Sequence, residues 1–87
     1  MSESKSNVLD AEIVTLGQLA RAAGVSTYYL RSLVKSGELE RAFRFKSRTG
    51  YWRLRIDDAV YYFTKLRGIR ELTPELEEEI KERIRNA

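Results

Sequence analysis

The stretch "TLGQLARAAGVSTYYLRSLVKSG", residues 15–37, constrains the fold more than any other part of the chain, because it holds two short amphipathic segments separated by only three residues. Thr15 and Gln18 have the spacing of a capping box, in which each side chain bonds a backbone N–H of the other residue. This pattern predicts a first helix from about 16 to 23. Gly24 can adopt the left-handed conformation that ends such a helix, so a sharp turn follows at once.

A second short helix follows the turn. Ser26 is placed to cap it, and apolar positions recur at spacings of three and four until Gly37, so we expect a helix from about 27 to 36. Two helices joined by so short a turn must cross sharply, and Ala20 and Gly24 are small enough for the contact. The apolar positions that support the crossing are Leu19, Ala23, Val25, Leu30 and Leu33. The pattern predicts a helix-turn-helix, although an ordinary packed pair of helices would share many of these residues.

The composition limits the chemistry that the chain can perform. Its 87 residues, 43% of them hydrophobic, suffice for one small domain, and the chain has no cysteine and no histidine. Disulfides, thiolate zinc sites, histidine metal sites and histidine acid–base catalysis are therefore excluded. Asp57 and Asp58 are adjacent, but consecutive carboxylates before an apolar helix are typical of a cap and of a partner for the helix dipole. We therefore expect no enzyme activity, no cofactor and no metal site.

Residues 39–56, "LERAFRFKSRTGYWRLRI", change from a helical period to an alternating one around the glycine-containing connection "KSRTG". This arrangement predicts a two-stranded hairpin. Trp52 alternates in phase with Leu54 and Ile56, which assigns it to the apolar face rather than to a surface that stacks on bases. The basic side chains then project outward together, as suits a phosphate backbone or a solvated sheet edge. They are Arg44, Lys46, Arg48, Arg53 and Arg55.

Two further helices follow the hairpin. Asp57 is placed to cap a third helix that ends at Gly68, and Thr73 before Pro74 marks the start of a fourth helix that runs to about Asn86. The fourth helix carries a narrow apolar stripe, which either packs on its own domain or serves as an oligomerisation surface. The stripe consists of Leu76, Ile80 and Ile84.

Charge is segregated along the chain, although the overall net charge is only +3. The net charge is −2 over residues 1–14, +8 over residues 15–70 and −3 over residues 71–87. A basic centre favours a polyanionic partner, and nucleic acid ranks ahead of a membrane surface because no basic amphipathic membrane helix is present. The N-terminal stretch lacks an apolar signal region, and no run approaches the roughly 20 apolar residues of a membrane span. We therefore expect a cytoplasmic, nucleoid-associated protein.

The helix-turn-helix and the following segment "GYWRLRIDDAVYYF" resemble the winged helix-turn-helix DNA-binding domains of MerR-type regulators and of phage or plasmid excisionases, over about residues 13–67. The resemblance implies a mainly α fold with a small β-hairpin wing, followed here by a C-terminal helix. On this interpretation the chain has a flexible N-terminal tail over residues 1–11 and a DNA-binding domain over 12–70. An acidic C-terminal helix over 71–87 is a possible oligomerisation element.

In that family the second helix enters the major groove, and the wing contacts the backbone or the neighbouring minor groove. The resemblance assigns DNA contacts on the second helix to Thr27, Tyr28, Tyr29, Arg31, Ser32 and Lys35. The wing contacts are the five basic hairpin residues named above. Which of Tyr28 and Tyr29 faces DNA stays open, because one of the two rings can pack on the wing instead.

The expected function is sequence-specific binding of double-stranded DNA. The protein would act as a small transcriptional regulator or as an excisionase-like recombination directionality and architectural factor of a mobile element. We expect a homo-oligomer formed through the C-terminal helix, or cooperative binding to tandem sites, with no small-molecule effector and no membrane partner. The alternatives are a phage DNA-packaging subunit and a protein-interaction module on a winged-helix scaffold.

Overall fold

The computed structural model describes residues 12–44 and 51–87. The predicted flexible tail, residues 1–11, and the predicted wing contacts Lys46 and Arg48 lie outside the described residues. The fold is mainly helical with a small antiparallel sheet, which confirms the expected winged helix-turn-helix with a C-terminal helix. In chain order the elements are β1 (Ile13–Thr15), α1 (Leu16–Ala23), α2 (Thr27–Ser36), β2 (Phe43–Arg44), β3 (Trp52–Arg55), α3 (Ile56–Arg67) and α4 (Pro74–Arg85).

Both helices of the helix-turn-helix begin and end where the sequence predicts. The Thr15 hydroxyl accepts a hydrogen bond from the Gln18 backbone N–H at 3.0 Å, and the Gln18 side-chain oxygen accepts one from the Thr15 N–H at 2.9 Å. The Ser26 hydroxyl accepts from the Tyr29 N–H at 3.0 Å and so caps α2. Gly24 ends α1 with φ 78°, a left-handed conformation that an L side chain rarely adopts, so the sharp turn depends on glycine there.

The sheet has three strands in the order β1-β3-β2, whereas the sequence predicted a two-stranded hairpin. The additional strand is β1, which pairs with β3 so that Val14 lies opposite Leu54. The other edge of β3 pairs with β2, with Arg44 opposite Trp52. The backbone N–H of Ile56 donates to the Glu12 carbonyl at 2.8 Å and extends the β1–β3 pairing to the first residue of α3.

The start of α3 differs from the prediction that Asp57 caps it, and that prediction is wrong. Because β3 runs directly into α3, the cap position falls on Arg55, which makes no side-chain cap hydrogen bond. Asp57 and Asp58 instead lie in the first turn, where carboxylates interact favourably with the positive end of the helix dipole. Gly68 ends the helix in the left-handed conformation, as predicted.

Helix α4 packs on its own domain, which decides between the two interpretations of its apolar stripe. Ile80 and Ile84 are buried in the same core as residues of α1 and α3, and Leu76 packs partly buried against that core. The Gln18 side-chain amide also donates to the Ile84 carbonyl at 3.3 Å, which ties the end of α4 to α1. The expectation of an oligomerisation surface is therefore corrected for Ile80 and Ile84, because a side chain enclosed by its own core is not accessible to a partner. For Leu76, which is only partly buried, it stays a prediction.

Candidate nucleic-acid interface

An open cleft of about 560 Å³ lies between α2 and the wing. We call it the basic cleft, because its lining includes three cations and, among the described residues, no acidic side chain. The N-terminus of α1 also lines it. The lining residues are Thr15, Leu16, Gly17, Thr27, Arg31, Lys35, Arg44, Tyr51 and Trp52.

One face of α2 forms the first wall of the basic cleft. Thr27, Arg31 and Lys35 follow one another at four-residue spacing, which places them on the same side of a helix. Arg31 and Lys35 are exposed, and neither forms an ion pair with any residue that the structure describes. These two cations therefore remain available to an anion that enters the cleft.

The second wall of the basic cleft comes from the wing, where the strand register divides the cations between two faces. Directly opposed residues of an antiparallel pair point to the same face, so Arg44 lies with Trp52, whereas Arg53 lies with Phe43 on the other face. The expectation that the wing cations all project outward together is therefore wrong for Arg44. Its guanidinium carbon lies 4.7 Å from the centre of the Trp52 ring, inside the basic cleft.

Trp52 has a double role in the structure that the sequence did not predict. The ring is partly buried and packs against the core, as the alternation with Leu54 indicates, but it also lines the basic cleft. Tyr51, which the sequence did not single out, is exposed and lines the cleft beside it. The sequence signal that could have predicted this role is an aromatic residue at one end of an apolar alternation, next to basic strand positions.

The remaining described wing cations lie away from the basic cleft. Arg53 is partly buried and donates from Nη1 to the Tyr51 carbonyl at 3.3 Å, and Arg55 is exposed two residues further along the same strand face. Their assignment to DNA contacts stays a prediction. Residues 45–50, which contain the predicted contacts Lys46 and Arg48, lie outside the described part of the chain.

The two tyrosines of α2 differ in their surroundings. The side chain of Tyr28 is 82% exposed, whereas that of Tyr29 is 46% exposed and lines a different cavity, between α2 and α3. Neither ring is among the described residues that line the cleft beside the wing, and the interpretation that one of them packs on the wing stays a prediction, because residues 45–50 lie outside the described part of the chain. Tyr28 is the tyrosine that projects into solvent from α2. Ser32 is exposed beside it, and its hydroxyl donates to the Tyr29 carbonyl at 2.6 Å.

The cavity beside Tyr29 has a volume of about 440 Å³ and contrasts with the basic cleft in its charge. We call it the mixed cavity, because carboxylates and cations both line it. Arg41 pairs with Asp58 at 3.3 Å, and the guanidinium of Arg41 lies 4.6 Å from the centre of the Tyr61 ring. The described residues that line it are Tyr29, Leu33, Glu38, Leu39, Glu40, Arg41, Tyr61, Tyr62, Lys65 and Leu66.

Among the described residues, the pKa values that depart from their ordinary range are those of Glu12 and Arg85, an ion pair outside α2 and the wing. The Arg85 guanidinium donates two hydrogen bonds to the Glu12 carboxylate, at 2.8 and 2.9 Å. These hydrogen bonds lower the pKa of Glu12 below its ordinary value and raise the pKa of Arg85. The pair joins the residue before β1 to the last turn of α4, so it holds the two ends of the described fold together.

Two further features, a metal site and a membrane-spanning helix, are absent from the described residues. Within residues 12–44 and 51–87, no three or more Asp and Glu side chains lie close enough to hold a metal ion. None of the helices in these two ranges is both long enough and apolar enough to pass through a membrane.

Comparison with known proteins gives a match to the helix-turn-helix part of the molecule. Residues 9–44 match the model of the family described as "Transcriptional regulator, AbiEi antitoxin". The match covers β1, α1, α2 and β2, which is less than half of the chain. Comparisons with curated proteins and with solved structures gave no match. The family match supports a winged-helix DNA-binding domain with a regulatory role, and it does not extend to the MerR or excisionase subtype.

Proposed function

We propose that the protein is a small transcriptional regulator that binds double-stranded DNA, with α2 in the major groove and the basic cleft against the phosphate backbone. The observation that carries this proposal is the lining of the cleft. Three cations line it, and no carboxylate among the described residues neutralises them. A partner that supplies regularly spaced negative charges, as a phosphodiester strand does, relieves the mutual repulsion of these cations and releases the counterions of the DNA.

The arrangement of α2 separates phosphate contacts from base contacts. Arg31 and Lys35 lie on the side of α2 that faces the wing, where the backbone of a duplex would enter the cleft. Tyr28 projects from the exposed surface of α2, and its ring and hydroxyl can contact a thymine methyl group or a base edge. The proposal therefore assigns affinity to the cleft cations and sequence discrimination to the neighbouring exposed positions.

The match to a transcriptional regulator family favours a regulatory role over that of a recombination directionality factor. The two roles differ in the DNA that they require, because a regulator recognises an operator, whereas an excisionase-like factor binds tandem sites and bends them. Selection of bound sequences from a random duplex pool separates the two. We expect a single or symmetric site; a tandem array together with strong bending would favour the recombination role.

The direct test is a fluorescence anisotropy titration of the complete chain with a labelled duplex at several salt concentrations. Three phosphate contacts from the cleft correspond to a slope of about −3 in a plot of log K against log salt. The expected result is binding at low salt with a slope at least this steep. Absence of binding even at low salt would refute the proposal, and binding with no salt dependence would remove the cleft from it.

A further inference from the structure

We propose that Trp52 is a positioning residue, which holds the Arg44 guanidinium in the basic cleft in the orientation that binds a DNA phosphate. The inference rests on the proposed function and adds to it a role that the alternation of the sequence did not predict. The structure places the guanidinium carbon of Arg44 4.7 Å from the centre of the Trp52 ring, within the range of a cation–π contact.

The Trp52 ring is well suited to orient another side chain because it is itself fixed. Trp52 lies on β3 two residues before Leu54, which is completely buried, and the Trp52 ring packs against the core. Arg44 lies directly opposite Trp52 in the antiparallel register, where side chains of the two strands are closest. The contact between the Arg44 guanidinium and the Trp52 ring therefore follows from the strand pairing and does not depend on DNA.

A contact between a guanidinium group and an aromatic ring leaves the hydrogen-bonding capacity of the guanidinium available. A guanidinium group that lies on an aromatic ring contacts it through its flat face, so the N–H donors at its edge still point outward and can bind a phosphate through two parallel hydrogen bonds. A long side chain that is already ordered also loses less conformational freedom when it binds. The Arg44–Trp52 pair therefore lowers the entropic cost of one phosphate contact.

The other cations of the basic cleft provide an internal comparison. Arg31 and Lys35 stand on α2, and no ring contact holds either of them among the residues that the structure describes. Of the three described cleft cations, Arg44 is thus the one whose contribution depends on a neighbouring aromatic residue. A substitution of Trp52 should affect binding through Arg44 and leave the contributions of the other two unchanged.

A double-mutant cycle on duplex DNA binding by the complete chain tests this inference. Arg44→Ala is expected to weaken binding by about tenfold near 0.1 M salt, the loss of one phosphate contact. Trp52→Leu, which keeps an apolar side chain but removes the ring, is expected to weaken binding by about threefold in the wild-type background. In the Arg44→Ala background, Trp52→Leu should cause no further loss. Equal losses in both backgrounds would show a purely structural role and overturn the inference.

Two conservative variants keep the test decisive if Trp52→Leu does not fold. Trp52→Phe retains a flat ring and should bind DNA within about twofold of the wild type. Arg44→Lys leaves Trp52 in place and retains the charge, but it lacks the planar guanidinium group with its paired N–H donors. About a twofold to threefold loss of affinity is therefore expected. Undiminished binding by Arg44→Lys would contradict positioning by stacking. If the wild-type chain itself failed to bind duplex DNA, the proposed function would fall, whereas an additive cycle on a binding protein overturns only the role of Trp52.

Discussion

Two cations of the basic cleft and two cations of α4 are used in opposite ways. Arg31 and Lys35 form no ion pair within the described residues. Lys81, by contrast, lies 3.6 Å from a carboxylate oxygen of Asp57 and 3.6 Å from one of Glu77. The end of α4 is similar, because the terminal arginine of that helix bonds two carboxylates. The charges of Lys81 and Arg85 thus serve the fold, whereas those of Arg31 and Lys35 are left for a partner.

The same contrast extends to the apolar residues of the two regions. Ile80 and Ile84 attach α4 to the core, whereas the basic cleft exposes part of Trp52 and most of Tyr51. We therefore expect substitutions on α4 to change the free energy of unfolding and substitutions in the cleft to change DNA affinity. A substitution that changed both equally would break the comparison.

The largest expected effect is that of Ile84→Ala, because Ile84 is completely buried between α4 and the rest of the core. Removing its methyl and methylene groups should lower the free energy of unfolding by about 2–5 kcal/mol. Urea denaturation measures this loss. The control is Leu76→Ala, which truncates a partly buried residue of the same stripe and should cost less. A loss below about 1 kcal/mol for Ile84→Ala would contradict the packing of α4 on its own domain.

The double substitution Arg31→Ala and Lys35→Ala should give the next largest effect, on DNA affinity rather than on stability. Near 0.1 M salt we expect a loss on the order of tenfold for each cation and a decrease of about two in the salt slope. The free energy of unfolding should change by less than about 0.5 kcal/mol, since both side chains are exposed.

The matched control for this pair is Arg70→Ala with Arg83→Ala. These arginines are also exposed, do not line the basic cleft, and their removal lowers the net charge by the same amount. Anisotropy titrations of both double variants should show a large loss only for the cleft pair. Equal losses would mean that DNA binding depends on net charge and not on the cleft.

Tyr28→Ala sharpens the comparison within α2 itself, between the exposed surface and the face toward the mixed cavity. Because Tyr28 projects into solvent and carries no charge, its loss should leave the salt slope unchanged and reduce discrimination at one base position by about 1 kcal/mol. Competition between the selected duplex and single-base variants measures this. Tyr29→Ala, on the mixed-cavity side, should keep the relative affinities of the wild type, and loss of discrimination in Tyr29→Ala alone would reverse the assignment.

The regions of the molecule also differ in how far the sequence predicts them. The bounds of α1 and α2 follow from Thr15, Gly24, Ser26 and Gly37, because a cap and a left-handed glycine act through hydrogen bonds between residues a few positions apart. Such local signals carry the helix-turn-helix and the predicted cations of its second helix. The predicted cap of α3 at Asp57 was wrong because a local signal does not include long-range pairing. The backbone N–H of Ile56 donates to the carbonyl of Glu12, which is distant in sequence, and β3 therefore continues directly into α3.

The wing face of the basic cleft depends on strand register, which a sequence pattern does not determine. A shift of one residue between β2 and β3 would place Arg44 on the same face as Arg53 and away from Trp52, and the alternation alone is compatible with either pairing. The partners of α4 are likewise long-range, because its stripe has the same periodicity whether it meets its own core or another chain. The contact of Trp52 with Arg44 belongs to this second class.

The smallest expected effect concerns the ion pair between Glu12 and Arg85, which joins the ends of the described fold. The hydrogen bonds from Arg85 lower the pKa of Glu12, so the folded state favours the ionised carboxylate more than the unfolded chain does. Its contribution to stability is therefore complete above the ordinary value of 4.5 and is lost as the pH falls through the lowered pKa of the folded state. Glu12→Gln should remove this part of the acid dependence in urea denaturation measured across pH, while leaving DNA affinity at neutral pH unchanged. The effect is small because both groups are exposed to solvent.

Glu79→Gln removes an exposed carboxylate from the same helix as Arg85 without touching the pair, and it should keep the acid dependence of the wild type. Identical curves for the wild type and Glu12→Gln would show that the pair contributes nothing to the fold.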